Sequence, residues 1–211
     1  MSGLDAPSRR KTFGHRFDDA VTMARELHAG QQRKGTAIPY FAHLLGVASL
    51  VLEGGGDEDE AIAGLLHDAV EDQGGPATLA AIEQRFGPRV AAIVAACSDT
   101  DEVPKPPWRA RKEGYVAHLV AADLAEGTLL VSLADKLHNA RAIRADLHAH
   151  GDEVWSRFSA GRFDQLWYYR SLAEAFQRLR PGAMAEELAR TVEEIAALAG
   201  GTVQAEQLAT D

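Results

Sequence analysis

The stretch GLLHDAVED, residues 64–72, joins an apolar helical approach to a group of ionisable side chains. His67 and Asp68 are adjacent within it, and Glu71 and Asp72 follow. Neutral imidazole nitrogen together with carboxylate oxygen favours a first-row divalent ion such as manganese, iron or zinc, whereas an all-oxygen donor set would favour magnesium or calcium. The stretch therefore predicts metal chemistry where a helix meets a polar pocket.

Around this stretch, apolar residues recur at helical spacing, and convincing two-residue alternation is absent. The pattern predicts an all-α fold, a compact single-domain helical bundle. Asp57 is expected to cap the helix that delivers the motif at its C-terminal end, and Thr78 to cap the next one. Helices are expected at residues 17–30, 41–53, 57–72, 78–86, 88–97, 108–126, 128–147, 152–179 and 183–198.

The connecting segments set the remaining boundaries. Residues 31–40 and 98–107, with their glycine and prolines, are expected to be loops, and the second is long enough to cover a site. We assign residues 1–16 to an N-terminal extension, 17–198 to the domain and 199–211 to a C-terminal tail. The 211 residues are enough for one substantial core.

Composition restricts the location and the partners. No apolar run approaches the roughly 20 residues of a membrane span, and the polar N-terminus lacks the apolar core of a secretory signal. Cys97 is the single cysteine and is expected to be a buried hydrophobe, which fits a reducing compartment. These features predict a cytoplasmic protein without a membrane partner. The net charge of −9 argues against nucleic acid but allows a phosphorylated small molecule if basic groups cluster locally.

Three residues elsewhere are candidates to complete the metal site. Asp135 interrupts an apolar helical run, where a charge must be paired or ligated, and Asn139 lies one turn later on the same face. His43 lies early on its own helix. Taken alone, Asp135 fits an exposed position equally well, and a lone histidine such as His43 is more often a core or surface residue.

Together, the set His43, His67, Asp68 and Asp135 resembles the HD-domain superfamily of metal-dependent phosphohydrolases. Three blocks narrow the resemblance to the RelA/SpoT alarmone-hydrolase branch, particularly its small single-domain hydrolases. They are RKGTAIPYFAH at residues 33–43, LLHDAVED at 65–72 and LADKLHNAR at 133–141. The resemblance covers about residues 17–176 and is absent at both ends of the chain.

The resemblance implies a helical bundle of HD-domain type that holds Mn²⁺. It implies a phosphorylated purine nucleotide as substrate, guanosine tetra- or pentaphosphate, (p)ppGpp, whose 3′-diphosphate is hydrolysed to give GDP or GTP and pyrophosphate. The chain ends where bifunctional members would begin a synthetase domain, so we expect hydrolysis only.

The resemblance also implies individual roles. His43, His67, Asp68 and Asp135 match the metal ligands, while Glu71 and Asp72 match the pair that orients water and handles its proton. Contacts to the nucleotide are implied for Arg33, Lys34, Asn139 and Arg162.

Other residues are expected near the substrate from their chemistry. Within the aromatic run at residues 167–169, Tyr169 is expected near the nucleotide, although such clusters are more often core. Cations that flank the second loop are expected to add positive potential, with a solvated surface as the equal alternative. They are Lys105, Arg109, Arg111 and Lys112.

Two departures from the family pattern leave substrate preference open, because Ser132 and Ala142 stand where larger members commonly carry Lys and Thr. One alternative is an HD phosphohydrolase acting on adenosine alarmones, NADPH or nucleoside monophosphates. A second alternative is a module that binds an alarmone without cleaving it. The intact Glu71–Asp72 pair argues against the second, because binding alone needs no water-activating carboxylates.

Overall fold

The computed structural model describes residues 13–99, 105–121 and 124–209, and it confirms the all-α prediction across these ranges. A 3₁₀ segment, Gly151–Arg157, lies between the eighth and ninth helices. The α-helices are α1 (His15–Leu27), α2 (Phe41–Glu53), α3 (Glu58–Leu66), α4 (Ala69–Asp72), α5 (Gly75–Phe86), α6 (Pro88–Cys97), α7 (Trp108–Val120), α8 (Thr128–His150), α9 (Arg162–Leu179) and α10 (Ala183–Ala209). None of the described helices combines the length and the apolar character needed to cross a membrane.

Helix α8 lies at the centre of the bundle. Its residues from Leu130 to Asp135 are consecutively buried, and a helix buried on all sides must be surrounded by other elements. Helices α2, α3, α6, α9 and α10 all pack against it. Because Leu44 of α2, Leu65 of α3 and Leu133 of α8 are fully buried, these three helices form the interior on which the site is built.

The prediction of one continuous helix over residues 57–72 is wrong. Helix α3 ends at Leu66, and α4 begins at Ala69, so His67 and Asp68 form the junction between them. The imidazole of His67 bonds back to the carbonyl of Gly64 at 2.8 Å. Side-chain bonds of this local kind compete with continued helix. The metal motif therefore lies in a turn between two helices.

Other boundaries also differ from the predictions. Helix α5 begins at Gly75, with proline in its first turn, so Thr78 lies inside it and donates its hydroxyl to the Gln73 carbonyl instead of capping. The predicted helix 152–179 is divided, because the 3₁₀ segment ends at Arg157 and α9 begins at Arg162. The helix predicted at residues 108–126 ends at residue 120.

The last helix runs beyond its predicted end. Helix α10 continues through Gly200 and Gly201 to Ala209, where we expected a tail. Glycine costs about 1 kcal/mol in a helix, which lowers the propensity without forbidding the conformation. The loop prediction for residues 98–107 falls partly on residues 100–104, which lie outside the described residues.

The start of α3 carries the predicted cap. The carboxylate of Asp57 accepts from the amide of Glu60 at 3.0 Å, and the Glu60 side chain returns to the Asp57 amide at 2.8 Å. We expect Asp57→Ala to lower the free energy of unfolding by about 1–2 kcal/mol, because it leaves an amide of the first turn unpaired. Equilibrium unfolding in urea measures the change.

Asp57→Asn is the matched control for this prediction. Asparagine caps about as well as aspartate, but it removes the charge that pairs with Arg89 at 2.7 Å. The asparagine variant should therefore keep most of the stability. Equal losses in both variants would attribute the effect to the ion pair instead of the cap.

Candidate active site

The structure brings together the four residues predicted as metal ligands. Nε2 of His43 lies 3.2 Å from Oδ1 of Asp135 and 3.3 Å from Nε2 of His67. Nε2 of His67 lies 2.9 Å from Oδ2 of Asp68 and 3.5 Å from Oδ1 of Asp135. Donor atoms of His43, His67 and Asp135 are all within 4.8 Å of one another, and Asp68 joins this group through its contact with His67. We call these four side chains the donor cluster.

Three buried helices position the donor cluster. His43 comes from the first turn of α2, the His67–Asp68 pair from the junction of α3 and α4, and Asp135 from the middle of α8. Neighbouring residues of one regular helix point about 100° apart around its axis. Because α3 ends before His67, the junction lets both members of the pair reach the same cluster.

The outer nitrogens of both imidazoles have partners. Nδ1 of His67 donates to the carbonyl of Gly64, so Nε2 is the nitrogen that faces the cluster. Nδ1 of His43 lies 2.9 Å from Nδ1 of His138. With a lone pair on Nε2, His43 carries its hydrogen on Nδ1 and donates it to His138. Such partners fix the orientation of a ligating histidine.

A glycine makes room for His138. Gly46 lies on α2, and a Cβ at this position would overlap the imidazole of His138. A residue with a side chain at position 46 would therefore displace the partner of His43.

The two carboxylates are also held. Oδ2 of Asp135 accepts from Nζ of Lys136 at 2.6 Å, and Oδ1 accepts from the amide of Asn139 at 2.6 Å. Oδ2 of Asp68 accepts a hydrogen bond from the hydroxyl of Tyr40. Oδ1 of Asp135 and Oδ2 of Asp68 are thereby aimed at the histidines.

Charge within the cluster shifts the ionisation of its members. Burial alone would raise the pKa of Asp135, but the neighbouring Lys136 and His67 lower it well below its ordinary value. Burial alone would lower the pKa of His67, and the carboxylates of Asp68 and Asp135 raise it instead. Burial lowers the pKa of His43. Burial alone would raise the pKa of Asp68, and the charge of His67 lowers it instead. Both aspartates are therefore anionic and His43 is neutral. Their charges favour a positive charge at Nε2 of His67, which a bound cation would supply in place of a proton.

This donor set fits a divalent cation. Two imidazole nitrogens and two carboxylate oxygens converge at 2.9 to 3.7 Å in the protein interior. Converging lone pairs and anionic charge are costly in a buried site unless a proton or a cation lies among them. The combination of nitrogen and oxygen donors is typical of first-row divalent ions.

Glu71 and Asp72 extend from α4 beside the donor cluster. Oε1 of Glu71 accepts from Nζ of Lys105 at 2.8 Å, and Oδ2 of Asp72 accepts from Nε2 of Gln31 at 2.8 Å. Gln31 is itself held, because its Oε1 lies 2.6 Å from Nδ1 of His28. Burial raises the pKa of Asp72, although the bond from Gln31 opposes the shift. The hydrogen-bonded chain from His28 through Gln31 thus orients the carboxylate of Asp72.

A cleft of about 440 Å³ lies next to the cluster, and the two are joined through shared hydrogen-bond partners. Its lining includes Tyr40, which bonds Asp68, and Asn139, which bonds Asp135. The predicted substrate residues Arg33, Lys34 and Tyr169 also line it. The cations of the lining are Arg33, Lys34, Lys112, Lys136 and Arg157. Asp146 also lines the cleft and pairs with Arg157 at 2.9 Å, which leaves an excess of cations in the lining. The protein carries a net charge of −9, so this cleft is a local region of positive charge that suits a polyanionic ligand.

Arg162 is not among the described residues that line the cleft. Its guanidinium lies 3.1 Å from Asp152 and 3.4 Å from the carbonyl of Ala199 on α10. The predicted contact with distal phosphates stays a prediction. Arg157, which lies five residues before Arg162 in the sequence, does line the cleft. Its aliphatic part fills the space that a Cβ at Gly35 would need.

Sequence reasoning missed several lining residues. Lys136 follows Asp135 directly, which was an available signal, because a buried carboxylate requires a compensating charge. Trp108 and Tyr168 come from α7 and α9, and their relation to the cluster depends on how these helices pack. Lys112 of α7 was among the cations expected to add positive potential, and it lines the cleft. Ser132, at a position where larger family members commonly carry Lys, is buried and bonds the Tyr115 hydroxyl. It is not among the described residues that line the cleft.

The geometry agrees with comparisons to known proteins. A family model described as the HD domain matches residues 20–166. The chain belongs to the HD-domain family. A relative from Xenopus tropicalis, the guanosine-3′,5′-bis(diphosphate) 3′-pyrophosphohydrolase MESH1, is 39% identical over 141 residues, which cover 65% of this chain and 73% of that protein. Within this family, the chain is similar to the hydrolase domain of the MESH1 and SpoT proteins, as the three sequence blocks predicted.

A second relative is much longer than this HD-domain chain. The bifunctional (p)ppGpp synthase/hydrolase SpoT of Escherichia coli K12 is 34% identical over 129 residues, and the match covers 61% of this chain but only 18% of SpoT. Among solved structures, a metazoan SpoT orthologue that hydrolyses ppGpp matches with a TM-score of 0.64 at 25% identity, covering 91% of this chain and 96% of that one. A protein of Listeria monocytogenes EGD-e matches with a TM-score of 0.63 at 32% identity, covering 72% of this chain and 97% of that one.

Proposed function

We propose that this HD-domain protein hydrolyses the 3′-diphosphate of guanosine tetra- or pentaphosphate, with Mn²⁺ as its ion. The observation that carries the proposal is the donor cluster next to a cleft whose described lining holds five cations and one carboxylate. The named activities of MESH1 and the metazoan SpoT orthologue support the same reaction. We assign it to residues 17–198, and we expect it in the cytoplasm.

In this proposal, His43, His67, Asp68 and Asp135 hold the ion, which supplies Lewis acidity toward water and phosphate oxygen. A water oxygen bonds to the phosphorus next to the ribose 3′-oxygen, and the bond from that phosphorus to the 3′-oxygen breaks. The 3′-oxygen gains a proton and stays with the nucleoside 5′-phosphate, while pyrophosphate leaves.

The carboxylates of α4 manage the protons of this reaction. We assign Glu71 and Asp72 to orienting the attacking water and accepting its proton, because they lie beside the donor cluster and Gln31 holds Asp72 in place. Nζ of Lys105 lies 2.8 Å from Oε1 of Glu71 and holds that carboxylate in place.

The nucleotide is held by groups on both sides of the cleft. Arg33 and Lys34 lie on the loop before α2, and Asn139 lies on α8 beside Asp135. The guanidinium of Arg33 lies 5.9 Å from the ring centroid of Tyr40, which orients it over the cleft. We assign these three groups and Tyr169 to the base and phosphates, and Arg162 to the distal phosphates.

Incubating the purified protein with guanosine tetraphosphate and Mn²⁺ tests the proposal. We expect stoichiometric GDP and pyrophosphate by ion-exchange chromatography, and loss of both products with a chelator or in Asp68→Asn. That variant retains the size of the side chain but loses the anionic donor. Equal product from the variant and wild type would contradict the metal assignment.

A substrate panel separates the alternatives. Turnover confined to adenosine alarmones, NADPH or nucleoside monophosphates would favour another HD phosphohydrolase activity. Calorimetric binding of guanosine tetraphosphate without any product would favour the binding module.

A further inference from the structure

Two ammonium groups with little exposure line the cleft. Lys112 of α7 and Lys136 of α8 both line it, and their side chains are only 19% and 13% exposed. Nζ of Lys112 is 5.2 Å from the ring centroid of Tyr168, and Nζ of Lys136 is 4.7 Å from that of Tyr115. Two cations that line one cleft with little water around them repel each other, and an anion bound between them relieves the repulsion.

The pair is close to the reacting centre. Lys136 donates to Oδ2 of Asp135 at 2.6 Å, so one ammonium directly contacts the donor cluster. Burial lowers the pKa of Lys112, the charge of Lys136 lowers it further, and Asp99 and Glu71 oppose these shifts. Lys112 therefore lies within electrostatic reach of both Lys136 and Glu71.

Asp99 does not neutralise Lys112 on its own. Its two carboxylate oxygens accept from Nη1 of Arg111 at 2.7 and 2.6 Å, and Oδ2 also accepts from Nζ of Lys112 at 2.6 Å. One negative charge is thus shared between two cations. An ammonium has three N–H donors, so Lys112 can bond Asp99 and still donate to a ligand in the cleft.

The two cations bound to Asp99 differ in position. Lys112 lines the cleft, whereas Arg111 is not among the described lining residues and also bonds the carbonyl of Pro106. Asp99 therefore anchors α7 through Arg111 and positions the ammonium of Lys112 over the cleft.

We propose that Lys112 binds the outer phosphate of the diphosphate that is removed, and thereby makes the site selective for a diphosphate over a monophosphate at the same ribose position. The inference rests on the proposed function. The inner phosphate must lie at the donor cluster for its bond to break, so the outer phosphate extends from the cluster toward the cations that bind it. The Lys112–Lys136 pair supplies positive charge in the cleft.

Two substrates that differ by one phosphate test this role. The first is guanosine 5′-diphosphate 3′-diphosphate, and the second is guanosine 5′-diphosphate 3′-monophosphate. We expect Lys112→Met to lower kcat/KM for the diphosphate by about 10- to 100-fold, because a charged hydrogen bond is lost. The value for the monophosphate should change by less than about threefold.

Arg111→Met is the matched control, because it breaks the other ion pair of Asp99 without changing the cleft lining. It should leave the ratio of the two kcat/KM values unchanged. The same loss of selectivity in this control would overturn the inference, because the effect would then come from the position of α7. Unchanged selectivity in Lys112→Met would overturn it as well.

Binding provides a readout that is independent of turnover. At a constant free metal concentration, inorganic pyrophosphate should raise the Tm of wild type and Arg111→Met more than phosphate does, and this difference should disappear in Lys112→Met. Lys112→Gln replaces it if the methionine variant does not fold. No turnover of either substrate by wild type would overturn the proposed function and this inference together, whereas turnover with equal Tm shifts in all variants would overturn only the inference.

Discussion

His67→Ala is expected to lower turnover of guanosine tetraphosphate by at least about 10³-fold and to abolish retention of a first-row metal ion. Losing a partner that only orients a metal ligand costs 10- to 100-fold in metal affinity or activity, and His67 is a direct donor in our assignment, so its removal should cost more. The substitution also leaves Asp68 and Asp135 with less compensation for their negative charges. Elemental analysis after dialysis and steady-state kinetics measure the two effects.

His118→Ala is the control for this experiment, because His118 is an exposed histidine on α7 outside the donor cluster. It should retain both metal and activity. Metal retained at the wild-type level by His67→Ala would contradict the assigned ligand set. In wild type, adding the metal at about 100 times its Kd should stabilise the fold by about 2.7 kcal/mol, and this gain should be absent from the His67 variant.

Gly46→Ala is expected to destabilise the protein and weaken metal binding although it adds a good helix former. Alanine in a helix normally gains up to about 1 kcal/mol over glycine. Here the new methyl group would overlap the imidazole of His138, which is the hydrogen-bond partner of His43. Overpacking costs about 1–3 kcal/mol, so the net effect should be a loss of stability, with metal affinity about 10- to 100-fold lower. Urea unfolding and metal titration measure these changes.

Gly114→Ala on α7 is the matched control, because a Cβ there has nothing within 4 Å. It should stabilise the protein slightly and leave metal affinity unchanged. Stabilisation by Gly46→Ala equal to that of Gly114→Ala would show that His138 moves at no cost. The proposed support of His43 would then be wrong.

The donor cluster was largely predictable from sequence because its chemistry is unusual for buried helices. A carboxylate at Asp135 within an apolar run, and an imidazole beside a carboxylate at residues 67 and 68, both require a partner in the interior. The structure places these groups at contact distance, as the resemblance implied. The helical class was predictable for a similar reason, because the apolar spacing is helical throughout the described ranges.

Features that depend on local competition or on packing were not predictable. The helix break at His67 depends on a side-chain bond to the Gly64 carbonyl, which leaves no trace in the apolar spacing. The role that we propose for Lys112 depends on the packing of α7 against α9 and on Asp99, which lies at the start of the second loop. Arg162 was assigned from the least similar part of the chain, and its described contacts are with Asp152 and Ala199.

The donors and the substrate-facing cations belong to parts of the fold with different freedom to change. His43, His67 and Asp135 come from the packed interior, where substitutions are poorly tolerated. Lys34 lies on an exposed loop, and Lys112 on a peripheral helix. Related proteins can therefore diverge in the nucleotides they accept while inheriting the same hydrolytic chemistry, because mutations at the rim of the cleft do not disturb the interior that performs the reaction.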